Sequence, residues 1–194
     1  LIIATTPVLT AIGASFIYKE KINIIGWAAI GTAFAGVAVL LLSDSTKGGL
    51  SGGSGLFFMI AAAMVFCCYN LLNRKLLSMG YTAVEAVTWS MVCGAVLLMF
   101  FIPQALSQVS QSSPKALLSV IFLGAMPSAT AYLLWSKAFS LASKTSDVTN
   151  FQFLTPLLST AMGFAMLGEI PSAATIIGGL IIIASIVVFG FKGK

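Results

Sequence analysis

Residues 154–169 read LTPLLSTAMGFAMLGE, an apolar, helix-like run with a proline near its start and a glutamate at its end. Proline has no N–H to donate and its ring strikes the preceding turn, so it normally ends or kinks a helix. Residues 5–20, TTPVLTAIGASFIYKE, repeat the arrangement: Pro7 stands thirteen residues before Glu20, as Pro156 does before Glu169. A shift of 149 residues aligns the two stretches without a gap. Thr6, Pro7, Leu9 and Glu20 fall on Thr155, Pro156, Leu158 and Glu169. Beyond the turn, Ala35 and Val39 fall on Ala184 and Val188, and Ala29 and Gly36 meet the small residues Gly178 and Ser185.

The residues around these runs are too apolar for a water-facing surface. Of 194 residues, 59% are hydrophobic and 8% charged, where soluble domains carry about 25% charged residues. The chain is therefore an integral membrane protein whose first partner is the lipid bilayer. Its ten basic residues are scattered between apolar runs and form no stripe, so no nucleic acid is implied. Cys67, Cys68 and Cys93 all lie within apolar runs and read as small hydrophobes rather than a disulfide framework. There is no histidine, no HExxH, no pair of intramembrane aspartates and no phosphate-cradling loop. No enzyme, metal or cofactor is expected. Leu1 begins within an apolar run and follows no charged leader, as expected of a piece of a longer protein.

A spanning helix needs about 20 mostly apolar residues. Seven segments meet or approach that length, at about 1–18, 23–43, 54–72, 83–103, 116–136, 147–168 and 172–191. The expected fold is all-α, a polytopic transmembrane helix bundle. Its connections are short, and the flexible one holds Gly48, Gly49, Gly52 and Gly53. With the C-terminal tail in the cytoplasm, alternation puts Lys19, Lys21, Arg74, Lys75, Lys137, Lys144, Lys192 and Lys194 on that side. Only Lys47 and Lys115 fall opposite, which is the bias the positive-inside rule demands. Short loops and the lack of a targeting segment suit a bacterial inner membrane.

On this topology the turn of the first copy is cytoplasmic and carries Lys19 and Lys21, whereas the second copy's turn lies outside and carries no basic residue. Similar helix pairs inserted in opposite directions form an inverted repeat, a recurring plan of secondary transporters. The pattern of early Pro, small-residue middle and terminal Gly-Glu, then a helix with spaced Gly, resembles the EamA-type domain of the drug/metabolite transporter superfamily. LTPLLSTAMGFAMLGE followed by IPSAATIIGGLIIIAS carries the resemblance, and TTPVLTAIGASFIYKE followed by KINIIGWAAIGTAFAG carries it again, with Lys19 where Gly is usual. The resemblance implies ten helices in two inverted halves, of which these seven would be helices four to ten. Residues 1–43 would then close the first repeat, 44–53 form a linker, 54–191 the second repeat and 192–194 a cytoplasmic tail. It also implies missing N-terminal helices of the same protein as partners and a small-molecule substrate.

Thirteen residues at about 1.5 Å rise set each proline about 20 Å from its glutamate, beyond the midplane of a core about 30 Å thick. A proline there frees a backbone carbonyl that needs another partner. Broken helices at such depth serve transporters as hinges and substrate contacts, although a kink can also serve packing alone. Pro127, in GAMPSATAYLLW (124–135), is a third such site. Glu20 and Glu169 sit at interfacial turns, where an acid caps free N–H groups or complements a helix dipole and pins a tight hairpin.

Polar side chains within the runs mark the expected pathway: Tyr69 and Asn70, Tyr132 and Trp135 on one helical face, and Asn150, Gln152 and Thr155 leading up to Pro156. An aromatic belt competes for Trp135 and Tyr81, and Trp27 and Trp89 suit packing or lipid contact. Asp147 and Glu85 lie near segment ends, as solvated or capping acids. No charge stands at mid-depth, so an uncharged pathway favours amphipathic or zwitterionic solutes. The expectation is an exporter working by alternating access. The alternative is a structural or receptor-like multi-helix membrane protein without a pathway.

Overall fold

The computed structural model describes residues 3–44, 54–168 and 170–193. They are helical almost throughout, and no strand occurs among them. A 3-10 turn (Ile3–Thr5) leads into α1 (Thr6–Ile17); α2 is Ile24–Asp44, α3 Ser54–Ser78 and α4 Ala83–Leu98. A second 3-10 turn (Met99–Phe101) precedes α5 (Ile102–Ser110). Then α6 (Pro114–Leu123), a π-helical stretch (Gly124–Thr130) and α7 (Ala131–Leu141) run end to end. So do α8 (Thr145–Thr149), a 3-10 turn (Asn150–Phe153) and α9 (Leu154–Leu167), and α10 is Ala173–Lys192. Every apolar segment expected from the sequence has a helical counterpart. Four described stretches are long and apolar enough to cross a membrane: Phe57–Ser78, Ala83–Phe101, Pro114–Leu141 and Ala173–Lys192. Ile3–Ile17 and Ile24–Val39 are shorter apolar helices. The chain forms two compact units, Leu1–Leu71 with Ser143–Lys194, and Leu72–Ala142.

The prolines do not break regular helices. Pro7 and Pro156 each stand in the first turn of an α-helix that follows a 3-10 turn. The missing N–H therefore falls where an α-helix has no intrahelical acceptor for it. Pro127 is handled differently, inside the π-helical stretch. It withholds the amide that the Leu123 carbonyl would accept, and Ser128 Oγ donates to that carbonyl instead at 3.1 Å. Thr130 Oγ1 likewise donates to the Ala125 carbonyl at 3.1 Å. Hydroxyls thus supplement the widened backbone ladder around the proline.

Helix ends are closed by local chemistry. Ser172 starts α10 by accepting the Thr175 N–H at 3.1 Å. Thr82 and Glu85 form a reciprocal capping box on α4, with N–H to oxygen distances of 3.2 and 2.8 Å. At the end of α9, Gly168 takes φ 70°, and at the end of α1, Lys19 takes φ 54°. These positions are 149 residues apart, the same offset that aligns the two proline helices. Glycine adopts this left-handed region freely, whereas a residue with a Cβ is strained there.

In the first unit α2 packs along α10. Gly26, Ala29, Ile30, Ala33 and Gly36 are buried on α2; 149 residues on, Thr175, Gly178, Gly179, Ile182 and Ser185 are buried on α10. The two helices therefore bury the same face in the same register. They are antiparallel: Asn23 Nδ2 at the start of α2 donates to the Lys192 carbonyl at the end of α10, at 2.6 Å. Contact is close enough to exclude side chains, since a Cβ on Gly36 would lie 2.9 Å from Ile182 Cγ1 and 3.0 Å from the Gly178 carbonyl oxygen. Ala11 and Phe153 join this core from α1 and the 3-10 turn before α9.

Gly36→Leu should lower the melting temperature of the detergent-solubilised full-length protein, at a cost of about 1–3 kcal/mol for forced overpacking. Gly31→Ala, on a face with nothing within 4 Å of its Cβ position, should leave it unchanged or higher. The left-handed turns make a second pair: Lys19→Gly should stabilise by up to about 1 kcal/mol and Gly168→Ala destabilise by about 1–2 kcal/mol. Thermal melts of the four variants check both pairs.

Candidate functional site

The strip TSDVTNFQF (145–153) folds as α8 and its following 3-10 turn, in the first unit. α8 packs against α1, and the 3-10 turn against α1, α2 and α10. Thr145, Ser146 and Thr149 are fully buried, Asn150 is 3% exposed, and Thr6 on α1 is 1% exposed. The spacing explains the shared burial, because residues four apart, 145 with 149 and 146 with 150, lie on one helical face. Ser146 Oγ, Thr149 Oγ1, Thr6 Oγ1, both amide ends of Asn150 and Gln152 Nε2 are buried without a hydrogen-bond partner. Leaving such groups unmade inside a protein costs about 1–3 kcal/mol each. Packing alone would favour apolar residues here. None of these six atoms belongs to a charged group, and they offer neutral donors and acceptors beside the half-buried acid Asp147.

The remaining expected residues divide between the units. Asn70 on α3 is fully buried in the first unit, and the half-buried Tyr69 stacks on Phe66 with ring centroids 6.0 Å apart. Thr155 is exposed and Pro156 half-buried. Thr160 Oγ1 donates to the Pro156 carbonyl at 3.0 Å. Tyr132 and Trp135 belong to the second unit, on α7. Trp135 meets Phe139 edge to face, with centroids 5.6 Å apart. One turn along, buried Ser136 Oγ donates to Asn73 Oδ1 at 2.9 Å. Arg74 Nη1 closes the end of α7 by donating to the carbonyls of Phe139 and Ala142, at 2.7 and 2.9 Å. Pro127 is exposed within its π-helical stretch.

The sequence reading had not singled out Thr6, Ser146, Thr149, Asn73 or Ser136 as site residues. Two signals point to Asn73, Ser146 and Thr149: Asn70 and Asn73 are three apart on one helix, and the polar residues of 145–150 repeat at four. The first is cut off where the third segment ends at 72, and the second where the sixth begins at 147.

Glu20 reaches across 125 residues of sequence. Its Oε1 accepts from Thr145 N–H at 2.8 Å and from Thr145 Oγ1 at 2.7 Å, and its Oε2 accepts the same N–H at 2.9 Å. It caps free N–H groups, but those at the start of α8 rather than of α2, the next helix in the chain. Beside it Lys144 Nζ donates to the Lys21 carbonyl. Asp147 Oδ2 accepts the Lys144 N–H at 3.2 Å, as a helix-start acid. Glu169 lies outside the described residues, as do residues 45–53 of the expected linker.

A chain helical throughout its described residues, with membrane-length apolar helices and a buried strip rich in neutral polar side chains, belongs to the polytopic membrane proteins. Residues 53–191, well over half of the chain, match the EamA-like transporter family, and the chain belongs to that family. It is 27% identical over 186 residues to a "Probable terminal-alkyne amino-acid exporter" of Streptantibioticus cattleyicolor, covering 96% of this chain and 61% of that protein. It is 27% identical over 192 residues to a "Probable amino-acid metabolite efflux pump" of Salmonella typhimurium, covering 94% and 63%. An "Uncharacterized transporter YyaM" of Bacillus subtilis is 30% identical over 194 residues, covering 96% and 61%. The chain thus spans about three fifths of the length of these relatives. No solved structure matches it.

Asn150 and Asn73 should respond oppositely to an apolar near-isostere. Asn150→Leu removes an amide that makes no hydrogen bond and should keep or raise the melting temperature of the full-length protein. Asn73→Leu leaves the buried Ser136 hydroxyl without its acceptor and should cost about 1–3 kcal/mol. Parallel thermal melts test the contrast.

Proposed function

We propose that this chain is the larger part of a carrier that moves a small amphipathic or zwitterionic, amino-acid-like solute out of the cell by alternating access. The observation that carries the proposal is the buried strip of neutral hydrogen-bonding groups at Ser146, Thr149 and Asn150, which lack partners in the folded chain. Neutral donors and acceptors solvate both ends of a zwitterion without leaving a charge of their own buried when the solute departs. Tyr69, Asn70, Gln152 and Thr155 in the first unit, and Tyr132 and Trp135 in the second, are the other pathway residues proposed.

The inverted plan draws support from the antiparallel α2 and α10, which bury the same face in register, and from the left-handed turn that recurs at Lys19 and Gly168. Export is favoured by the relatives named as an exporter and an efflux pump. The lysine distribution favours a cytoplasmic C-terminus, and the helices implied before residue 1 complete the carrier. Hinges are assigned to the helix starts at Pro7 and Pro156, and a third bend to the π-helical stretch at Pro127. The membrane proposed is the bacterial inner membrane.

The test is counterflow of an amino-acid panel by the full-length protein in proteoliposomes. Flux of at least one zwitterionic solute is expected, slowed several-fold in Pro156→Ala with insertion intact. Tyr132→Cys and Gln152→Cys should react with a water-soluble maleimide. No flux for any solute, with both positions inert from either face, would return the chain to a structural role.

A further inference from the structure

We infer, building on the carrier reading above, that the α1–α2 turn is the latch of a gate, with Glu20 as the positioning residue that keeps the polar strip of α8 shut against α1. The latch has two strands of contact between the same pair of loops. The Glu20 carboxylate takes the backbone N–H and hydroxyl of Thr145, and the Lys144 ammonium takes the Lys21 carbonyl. Lys19, at φ 54°, turns the chain so that the Glu20 N–H bends back to the Ala14 carbonyl at 3.4 Å. A strained backbone immediately before a long-range contact is the kind of feature that marks switch regions.

What the latch covers decides its role. Ser146 follows Thr145 directly and Thr149 lies one turn further along, both fully buried and both without a hydrogen-bond partner. Those hydroxyls gain partners when the seam admits water or solute. The strip therefore favours opening, and closure has to come from contacts outside it. The Glu20 and Lys144 contacts lie at its end, at the mouth of the seam, so breaking them shifts the population toward the open state.

The test uses the full-length protein with its cysteines replaced, Cys67, Cys68 and Cys93 included, and Thr149→Cys added as a reporter. An impermeant maleimide is applied to membrane vesicles from each face in turn. Glu20→Ala should raise the labelling rate roughly tenfold, the scale of lost hydrogen bonds to a charged acceptor, from the face that bears the α1–α2 turn. Glu20→Gln, which keeps a neutral oxygen for the Thr145 N–H, should recover part of the wild-type protection. An unchanged rate in Glu20→Ala, or an equal rise from both faces, overturns the latch. Should that variant fail to accumulate, Thr145→Val decides: it loses only the hydroxyl bond and should label a few-fold faster, and an unchanged rate overturns the latch. Counterflow by the unsubstituted protein separates the two readings. Flux without a labelling response sinks the latch alone; a labelling response without flux sinks the carrier reading alone.

Discussion

A backbone carbonyl deprived of its amide inside hydrocarbon has no water to turn to, and leaving it bare costs several kcal/mol. That constraint shapes how the chain accommodates Pro7, Pro127 and Pro156. Pro7 and Pro156 stand where an α-helix begins, so no carbonyl loses a partner it would otherwise have kept. Pro127 stands mid-rod, and there the helix widens to π geometry while Ser128 and Thr130 lend their hydroxyls to Leu123 and Ala125. The serine and threonine of GAMPSAT are thus part of the backbone's solution.

Packing between helices obeys a related limit. In lipid there is little hydrophobic gain from pairing two apolar helices, so association relies on close approach. The α2–α10 seam shows how: Gly36 lies against Ile182 and Gly178, and Gly26 against Gly193, at distances that leave no room for a Cβ. Asn23 ties the open end of the seam to Lys192. Antiparallel helices that bury the same face in register are what a helix pair and its inverted copy would make of a shared interface. Ala11 and Phe153 extend this seam's core to α1 and to the 3-10 turn that follows α8.

The helices were legible because their cause is local. Apolar length and the turn residues placed the long apolar helices within a few positions, although α5 falls in a stretch that reads as a connection. The offset of 149 is the one at which α2 and α10 bury matching positions. Lys19 stood out as a departure from Gly, and it is the residue held at positive φ where its counterpart is Gly168. The prolines were read as mid-helix breaks because sequence does not show that a 3-10 turn precedes them. Partnerships were the least legible. Glu20 was recognisable as a capping acid, but its target lies 125 residues away, and no local pattern specifies so distant a donor pair. Ser136 escapes for the same reason: it is unremarkable in its own helix and acquires meaning only through Asn73, 63 residues away in sequence.

Energetics favour neutral groups over charged ones at the fully buried positions of the α8 strip. A buried carboxylate or ammonium without a partner would cost far more than the chain's marginal stability allows, and it would change protonation instead. Unmade hydroxyl and amide bonds cost about 1–3 kcal/mol apiece, an amount that contacts elsewhere can offset. The offsetting contacts are visible: hydrogen bonds from Thr145 to a charged acceptor, worth about 1.5–3 kcal/mol each, reduced by about 1–2 kcal/mol of strain at Lys19. On the carrier reading, terms of opposite sign such as these set the balance between closed and open arrangements, and a small solute shifts it with the binding energy of a few neutral hydrogen bonds.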